Sequence, residues 1–444
     1  MCNGTIMDKL ISFSLPLMVS GILQLMFNAV DIIVVGRFSG SQALAAVGST
    51  TALINVFINL FMGISLGANV LAARYYAAGR DREMSETVHT SIMLALISGV
   101  VMAFVGVFFA KGALELMDTP ADVIDQSALY MRIYFMGMPF FMLYNYGAAV
   151  LRAVGDTKRP LFYLIISGLA NAGINMLLVI VFHMGVAGVA IGTVISQLIS
   201  SILVLRCLYR SETSYQLRFS KLKIQKEYLK QIFQVGIPAG IQSTVINFSN
   251  VLLQSSVNSF GSIAMAGYTA ANNIFGFLYV TVNAVTQACM SFTSQNYGVG
   301  KWKRMDRVLI DCLILSFVAM MILGNSAYFF GPKLLTIYTS NSKVIQCGME
   351  ILLYTTVTYF LCGFMDLFPG ALRGMGRSGV PMILSIIGTV GTRIVWIFWI
   401  FPNHRSLDIL FISYPASWII TIVLQVICYY FVRKQLYAKM RAEA

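Results

Sequence analysis

Residues 152–161, Arg-Ala-Val-Gly-Asp-Thr-Lys-Arg-Pro-Leu, return in altered form as residues 373–382, Arg-Gly-Met-Gly-Arg-Ser-Gly-Val-Pro-Met. The two stretches lie 221 residues apart, and at the same spacing residues 76–84 align with residues 297–305. Because the chain has 444 residues, each copy covers about half of it, far more than the ~20–50-residue period of a solenoid array. The sequence therefore predicts a duplicated protein with two related halves.

The composition places both halves in a membrane. The chain is 58% hydrophobic and 11% charged, with a mean hydropathy of +0.77, whereas soluble domains have roughly 25% charged residues. Twelve apolar stretches of about 20 residues or more follow one another, residues 123–151 and 380–401 among them, and a helix of that length crosses a ~30 Å hydrocarbon core. We therefore expect an all-α integral membrane protein, with about twelve transmembrane helices in two six-helix bundles related by pseudo-two-fold symmetry.

The positive charge of the chain is unevenly distributed between the predicted loops. Of the 31 Lys and Arg residues, 24 fall in loops on one side and five on the other, while Arg132 and Arg393 lie inside predicted spans. By the positive-inside rule the richer side is cytoplasmic, so both termini are predicted to be cytoplasmic. Charge sorted in this way indicates a multi-pass protein of the plasma membrane, with lipid and not nucleic acid as its partner.

The halves predict a simple domain organisation. Residues 1–208 form an N-lobe with spans one to six, residues 209–229 a cytoplasmic linker, and residues 230–444 a C-lobe with spans seven to twelve. Because each half has an even number of spans, both lobes have the same orientation and are related by an axis along the membrane normal.

Nothing in the sequence has the pattern of an enzyme site. The three histidines, at positions 89, 183 and 404, are not spaced as metal ligands with Cys, Asp or Glu. Residues 79–82, Gly-Arg-Asp-Arg, lack the spacing of a phosphate-binding loop. We expect no enzymatic activity and no cofactor.

Polar residues recur at helical spacing on one face of three predicted spans. The stripes are Gln24, Asn28 and Asp31 in the first span, Ser167, Asn171 and Asn175 in the fifth, and Asn247, Asn250, Gln254 and Asn258 in the seventh. A single amide is equally well explained as a hydrogen bond between helices. Three stripes together predict a water-filled central cavity.

Charged residues inside the spans are the strongest functional candidates, because an ionisable side chain costs at least ~2.5–3.5 kcal/mol there. Asp31 ends the first stripe, and a carboxylate in that place can bind a proton or a small cation. The alternative is a carboxylate held permanently against Arg132 or Arg393. In the second half Asp366 and Arg393 are the cavity candidates, although a structural pair between Arg393 and Glu350 explains that arginine equally well.

Short motifs in order along the chain resemble the multidrug and toxic compound extrusion (MATE) transporters. They are Leu15-Pro16 opening the first span, Val30-Asp31, Val35-Gly36, Ala43-Leu-Ala-Ala-Val-Gly48 opening the second span, Leu151-Arg152 and Leu372-Arg373. The resemblance covers essentially the whole chain, and it is carried by the order and duplication of the motifs.

This resemblance implies a monomeric secondary transporter that exports cationic or amphipathic organic compounds in exchange for protons or sodium by alternating access. It makes Asp31 the coupling acid, with Asn175 and Thr193 as its neighbours, and a sodium ion at Asp31 is the alternative to a proton. Two positions depart from the family pattern: Val179 stands where many prokaryotic members have an aspartate, and Ile246 lies near the glutamate of sodium-coupled members.

Three other functions remain open at this point. A major-facilitator transporter also has two six-span halves, but residues 73–82 lack its pattern between spans two and three. A flippase for lipid-linked oligosaccharides shares the predicted lobes. A membrane receptor or scaffold that transports nothing is the third, and the duplication together with Asp31 counts against it.

Overall fold

The computed structural model describes residues 1–117 and 119–443, including all side chains within its helices except those of 41, 52 and 439–443. The described residues form helices joined by short connections. In chain order the helices are α1 (Met7–Phe38), α2 (Gly40–Ala77), α3 (Asp81–Leu116), α4 (Ile124–Met136), α5 (Met138–Ala153), α6 (Lys158–Met176), α7 (Gly185–Arg210), α8 (Lys226–Asn258), α9 (Ser262–Gly298), α10 (Trp302–Phe329), α11 (Gly331–Thr336), α12 (Ser342–Thr356), α13 (Tyr359–Gly374), α14 (Gly379–Ser385), α15 (Thr392–Val395) and α16 (Leu407–Glu443).

Most of these helices are long and apolar enough to cross a membrane. Within the described residues nine qualify by length and composition, and a tenth span is the pair α12 and α13, which is bent by 43°. The other two predicted spans correspond to α8, whose hydropathy is lowered by its polar stripe, and to α4 with α5, which are interrupted at Gly137. The predicted class, an all-α membrane protein, is confirmed.

The helices group into two compact units by their contacts. One unit, here the N-unit, is residues 15–240, and the other, the C-unit, is residues 1–14 with 241–444. The divisions fall inside α1 and α8, close to Pro16 and Pro238, which lie within these helices. A proline in a helix removes one backbone hydrogen bond, so the chain bends easily there. The lobe limits predicted at residues 208 and 230 were derived from the sequence repeat, whereas the two units are defined by contacts. The predicted limits stay a prediction.

In the N-unit, α2 and the first part of α8 cross with their backbones in direct contact. Gly63 and Gly67 on α2 face Gly236 and Gly240 on α8, and a Cβ added to any of them would meet backbone atoms of the other helix within 3.0 Å. Small residues four apart allow such close packing of membrane helices. We call these four residues the glycine crossing.

In the C-unit, residues 1–14 are held against α9 and α10. Lys301 Nζ donates to Asn3 Oδ1 at 2.6 Å and Arg304 donates to the carbonyl oxygen of Met1. The rings of Phe13 and Phe292 pack edge to face with centroids 5.6 Å apart. The start of α1 is thereby fixed on the C-unit.

The connection between α7 and α8 is bound to the first part of α3. Its Arg218 backbone N–H donates to His89 Nε2 at 3.0 Å, and its Gln225 N–H donates to Thr90 Oγ1 at 3.2 Å. Since His89 is buried and its Nδ1 lies 2.6 Å from the carbonyl oxygen of Ser85, both ring nitrogens serve structural hydrogen bonds.

Candidate functional site

Asp31 lies in the last third of α1 and faces α6 in the N-unit. Its carboxylate Oδ1 accepts a hydrogen bond from Asn175 Nδ2 at 2.5 Å. Asn175 is fully buried, whereas Asp31 is half-buried. A hydrogen bond to an ionised group is worth more than one between neutral groups, so this amide fixes the position of the carboxylate.

A chain of side-chain hydrogen bonds extends the site across α6 to α7. Asn175 Nδ2 also donates to Asn171 Oδ1 at 3.2 Å, and Asn171 Nδ2 donates to Thr193 Oγ1 at 3.5 Å. The Thr193 hydroxyl itself donates to the Val189 carbonyl at 3.0 Å. The structure thus brings Asp31, Asn175, Asn171 and Thr193 together, with Thr193 linked to the acid through two amides rather than in contact with it.

The site depends on a glycine of α7 that the sequence analysis missed. A Cβ on Gly192 would lie well inside 3.0 Å of Asn175 Oδ1. That oxygen is buried, and in the described structure it has no hydrogen-bond partner. Only a glycine leaves room for the amide to turn its N–H2 group toward Asp31.

Two tyrosines of α4 complete the surroundings of the acid. Tyr130 and Tyr134 stack with ring centroids 5.9 Å apart, and both interact electrostatically with Asp31. Their spacing of four residues puts them on one face of the helix. The sequence analysis did not connect them with Asp31, because they belong to a different polar pattern.

The family position for a second acid is apolar in this structure. Val179 is 2% exposed and lies in the π-helical turn Leu177–Val181 that follows α6. It packs near Gly188, whose added Cβ would touch the Val179 side chain. Among the described residues, Asp31 is therefore the carboxylate of this cluster.

The other residues predicted on the stripe of α1 do not join the network. Gln24 and Asn28 lie on a face of α1 that the protein leaves exposed. In α8 of the C-unit, Asn247 is exposed, Asn250 and Gln254 are half-buried, and Gln254 Nε2 donates to Asn258 Oδ1 at 3.3 Å. The predicted role of these polar residues in lining a substrate cavity stays a prediction.

The Arg393 side chain is hydrogen-bonded to two polar residues of α8. Its Nη1 donates to Ser249 Oγ at 2.9 Å and to Asn250 Oδ1 at 2.7 Å. The guanidinium also lies over the ring of Tyr414, 4.7 Å from its centroid. None of the ion pairs among the described residues joins Arg393 to Glu350, the structural pair that was considered from the sequence.

Asp366 is half-buried in α13 and has Arg373 as the cation that acts on it. Arg373 Nη2 donates to Gln242 Oε1 at 2.7 Å, which ties α13 to α8. Asp366 therefore lies in the C-unit among polar groups of its own, separate in the chain from the cluster around Asp31.

A family model described as MatE matches residues 16–177 and again residues 238–399, so the model recognises both repeats. The chain is 30% identical over 434 residues to the probable multidrug resistance protein YoeA of Bacillus subtilis (strain 168), an alignment that covers 95% of this chain and 93% of the relative. It is 22% identical over 387 residues to the multidrug export protein MepA of Staphylococcus aureus (strain NCTC 8325 / PS 47), covering 87% and 85% of the two chains.

Solved structures share the fold. The crystal structure of a MATE in the bent conformation superimposes with a TM-score of 0.89 at 20% identity, over 99% of this chain and 97% of that one. An outward-facing MATE family transporter of the MOP superfamily gives a TM-score of 0.90 at 20% identity, again over 99% and 97%. Two family matches that fall on the two sequence repeats, a full-length relative and a shared fold lead to one conclusion: the chain belongs to the MatE family of membrane transporters.

Proposed function

We propose that this transporter exports cationic or amphipathic organic compounds across the plasma membrane in exchange for protons, by alternating access. The observation that carries the proposal is the half-buried carboxylate of Asp31, held by Asn175 at 2.5 Å within a chain of buried amides. The names of the curated relatives, which describe multidrug resistance and export, support the substrate class.

The chemistry of the site follows from the charge of one carboxylate. When Asp31 is ionised, it attracts a cation and favours a bound cationic compound. When it takes up a proton, that attraction is lost and the compound is released. Because proton and substrate compete for one charge, the inward flow of protons drives the outward flow of the compound.

The orientation of Asn175 favours a proton over sodium. Sodium is a hard cation and, like other hard cations, needs several oxygen ligands directed at it. Asn175 presents its N–H2 group to Asp31 and turns its oxygen away toward Gly192. We further propose that the protein acts as a monomer, with both termini in the cytoplasm and no cofactor besides the coupling ion.

Replacing Asp31 tests the proposal. Asp31→Asn keeps the shape of the side chain and removes its titratable charge, so we expect proton-driven efflux to fall at least tenfold while a neutral amphipathic compound still binds. The measurement is efflux of a fluorescent organic cation from proteoliposomes under a proton gradient and, separately, under a sodium gradient.

Asp366→Asn is the matched control, since it removes a half-buried carboxylate from the C-unit. We expect it to reduce efflux less than Asp31→Asn does. Wild-type efflux rates in Asp31→Asn under both gradients would refute the assignment, and efflux of the wild type under sodium alone would refute proton coupling.

A further inference from the structure

Arg393 is a buried cation for which the described part of the chain supplies no carboxylate partner. It is 3% exposed, and none of the ion pairs among the described residues includes it. A charge inside a membrane protein is costly unless it is paired or has a function. Arg393 donates hydrogen bonds to Ser249 and Asn250 and lies over the ring of Tyr414, but none of these three partners is a carboxylate.

The guanidinium retains unused hydrogen-bonding capacity. Its Nε is buried and has no hydrogen-bond partner among the described residues. An arginine has five N–H donors in a fixed fork, and the two bonds from Nη1 use only one of its three nitrogens. A planar acceptor such as a carboxylate matches that fork.

Arg393 also determines how Asn250 is turned. Arginine can only donate, so the Asn250 atom at 2.7 Å must be the amide oxygen. The N–H2 end of the amide then faces away from the guanidinium. On this face α8 consequently offers a hydrogen-bond donor with a positive charge behind it, the opposite of the carboxylate that α1 offers in the N-unit.

The helix that carries Arg393 is irregular on both sides of it. Thr392–Val395 is a single α-helical turn between the π-helical segments Ile386–Gly391 and Trp396–Ile400. π-helical turns are rare and occur frequently at functional sites. Two π-helical segments flank the buried Arg393. We infer that the helix departs from regular geometry in order to hold this side chain in its position.

We propose that Arg393 and Asn250 form a subsite for an anionic oxygen group of the transported compound, a carboxylate or sulfonate. The compounds bound best are then those that carry an acid group besides an amphipathic or cationic body. This inference deepens the proposed function and rests on it for the claim that the bound compound is cargo. The alternative is that Arg393 only ties α15 to α8 and α16.

Two dyes that differ in one group separate these possibilities. Rhodamine 110 carries a free carboxylate, and rhodamine 123 is its methyl ester. We would measure the binding of both to purified wild-type protein and to Arg393→Gln, Arg393→Lys and Arg377→Gln by fluorescence anisotropy in detergent. Arg377 is an exposed arginine and provides the matched control.

We expect Arg393→Gln to weaken binding of rhodamine 110 at least tenfold more than binding of rhodamine 123. In Arg393→Lys the loss of rhodamine 110 binding should be smaller than in Arg393→Gln, because lysine keeps the positive charge but lacks the planar guanidinium with its several donors. Parallel losses for the two dyes would show a structural tie and overturn the subsite, as would equal affinities in wild type and Arg393→Gln.

Binding is measured without an ion gradient, so its result is independent of transport. Efflux of both dyes from proteoliposomes is measured in a second assay. If the wild type binds both dyes with the expected dependence on Arg393 but exports neither, the proposed export function fails and the subsite stands.

Discussion

Asp31 and Arg393 are compensated in different ways. Among the described residues, the half-buried Asp31 accepts a hydrogen bond from one donor, Asn175, through its Oδ1 atom. The more deeply buried Arg393 is fixed by two acceptors and an aromatic ring. A group that must change its charge during a transport cycle is expected to be bound loosely, and one that keeps its charge can be bound tightly.

At the residue scale, Gly192 provides a test of the site that leaves every polar group in place. Gly192→Ala should push the Asn175 side chain away from Asp31, because the new Cβ would overlap with Oδ1. Loss of a hydrogen bond to a charged group costs roughly 1.5–3 kcal/mol, which corresponds to about a tenfold to hundredfold change in an equilibrium constant. We expect proton-driven efflux in proteoliposomes to fall to about a tenth or less.

Gly173→Ala is the matched control, since a Cβ on this glycine of α6 would have no atom within 4 Å. It should transport as the wild type does. Equal efflux rates in the two variants would mean that the contact between Asn175 and Asp31 does not matter for coupling.

At the scale of elements, the glycine crossing brings the backbones of α2 and α8 into contact in the N-unit. Gly63→Ala should destabilise the protein, because the new Cβ would meet the backbone of Gly240. Overpacking costs about 1–3 kcal/mol. At an unfolding entropy of roughly 2.1 cal/mol/K per residue, this lowers the melting temperature of a chain of 444 residues by about 1–3 °C. Thermal unfolding in detergent measures the change.

Gly48→Ala on the same helix provides the control for that experiment, because its Cβ would lie in open space. Both variants replace glycine by alanine and so lose the same backbone freedom in the unfolded chain. A difference between their melting temperatures therefore measures the cost of the added methyl group at the glycine crossing. Identical melting temperatures would show that the crossing accommodates the added methyl group without loss of stability.

The sequence predicted where helices occur better than how they are shaped. Hydrophobic runs placed a span at residues 123–151, but the structure divides it at Gly137 into α4 and α5. They also placed one span at residues 380–401, which contains the two π-helical segments around Arg393. Hydrophobicity determines that a segment is buried, whereas breaks and π-helical turns arise from packing against neighbouring helices.

Part of the site around Asp31 could also be predicted from the sequence. Helical spacing and family resemblance identified Asp31, Asn171 and Asn175, which the structure joins by hydrogen bonds. Gly192 gave no signal, because its role appears only once α7 packs on α6. Gln24 and Asn28 had the right spacing, yet spacing alone cannot tell which polar residues of a stripe gain a partner.

For the whole molecule, the charge bias predicts one orientation in the membrane. We expect a cysteine at Glu212, between α7 and α8, to be cytoplasmic and one at Ser340, between α11 and α12, to be extracellular. Both positions are exposed. The measurement is labelling of intact cells with a membrane-impermeant thiol reagent, in a background without the seven native cysteines.

Ser340→Cys should be labelled in intact cells and Glu212→Cys only after the cells are opened. Both positions become reactive in detergent, which shows that each thiol is accessible. Labelling of Glu212→Cys from outside the cell would reverse the predicted topology.

The glycine crossing also limits how this protein sequence can evolve. Any codon change that replaces Gly63, Gly67, Gly236 or Gly240 adds at least a Cβ, which would meet backbone of the facing helix within 3.0 Å. A lineage that carries this gene therefore has little freedom at these four codons. Exposed residues of the polar stripes, such as Gln24, Asn28 and Asn247, are under no such packing restriction. Substitutions are therefore expected to accumulate there while the glycine crossing stays unchanged.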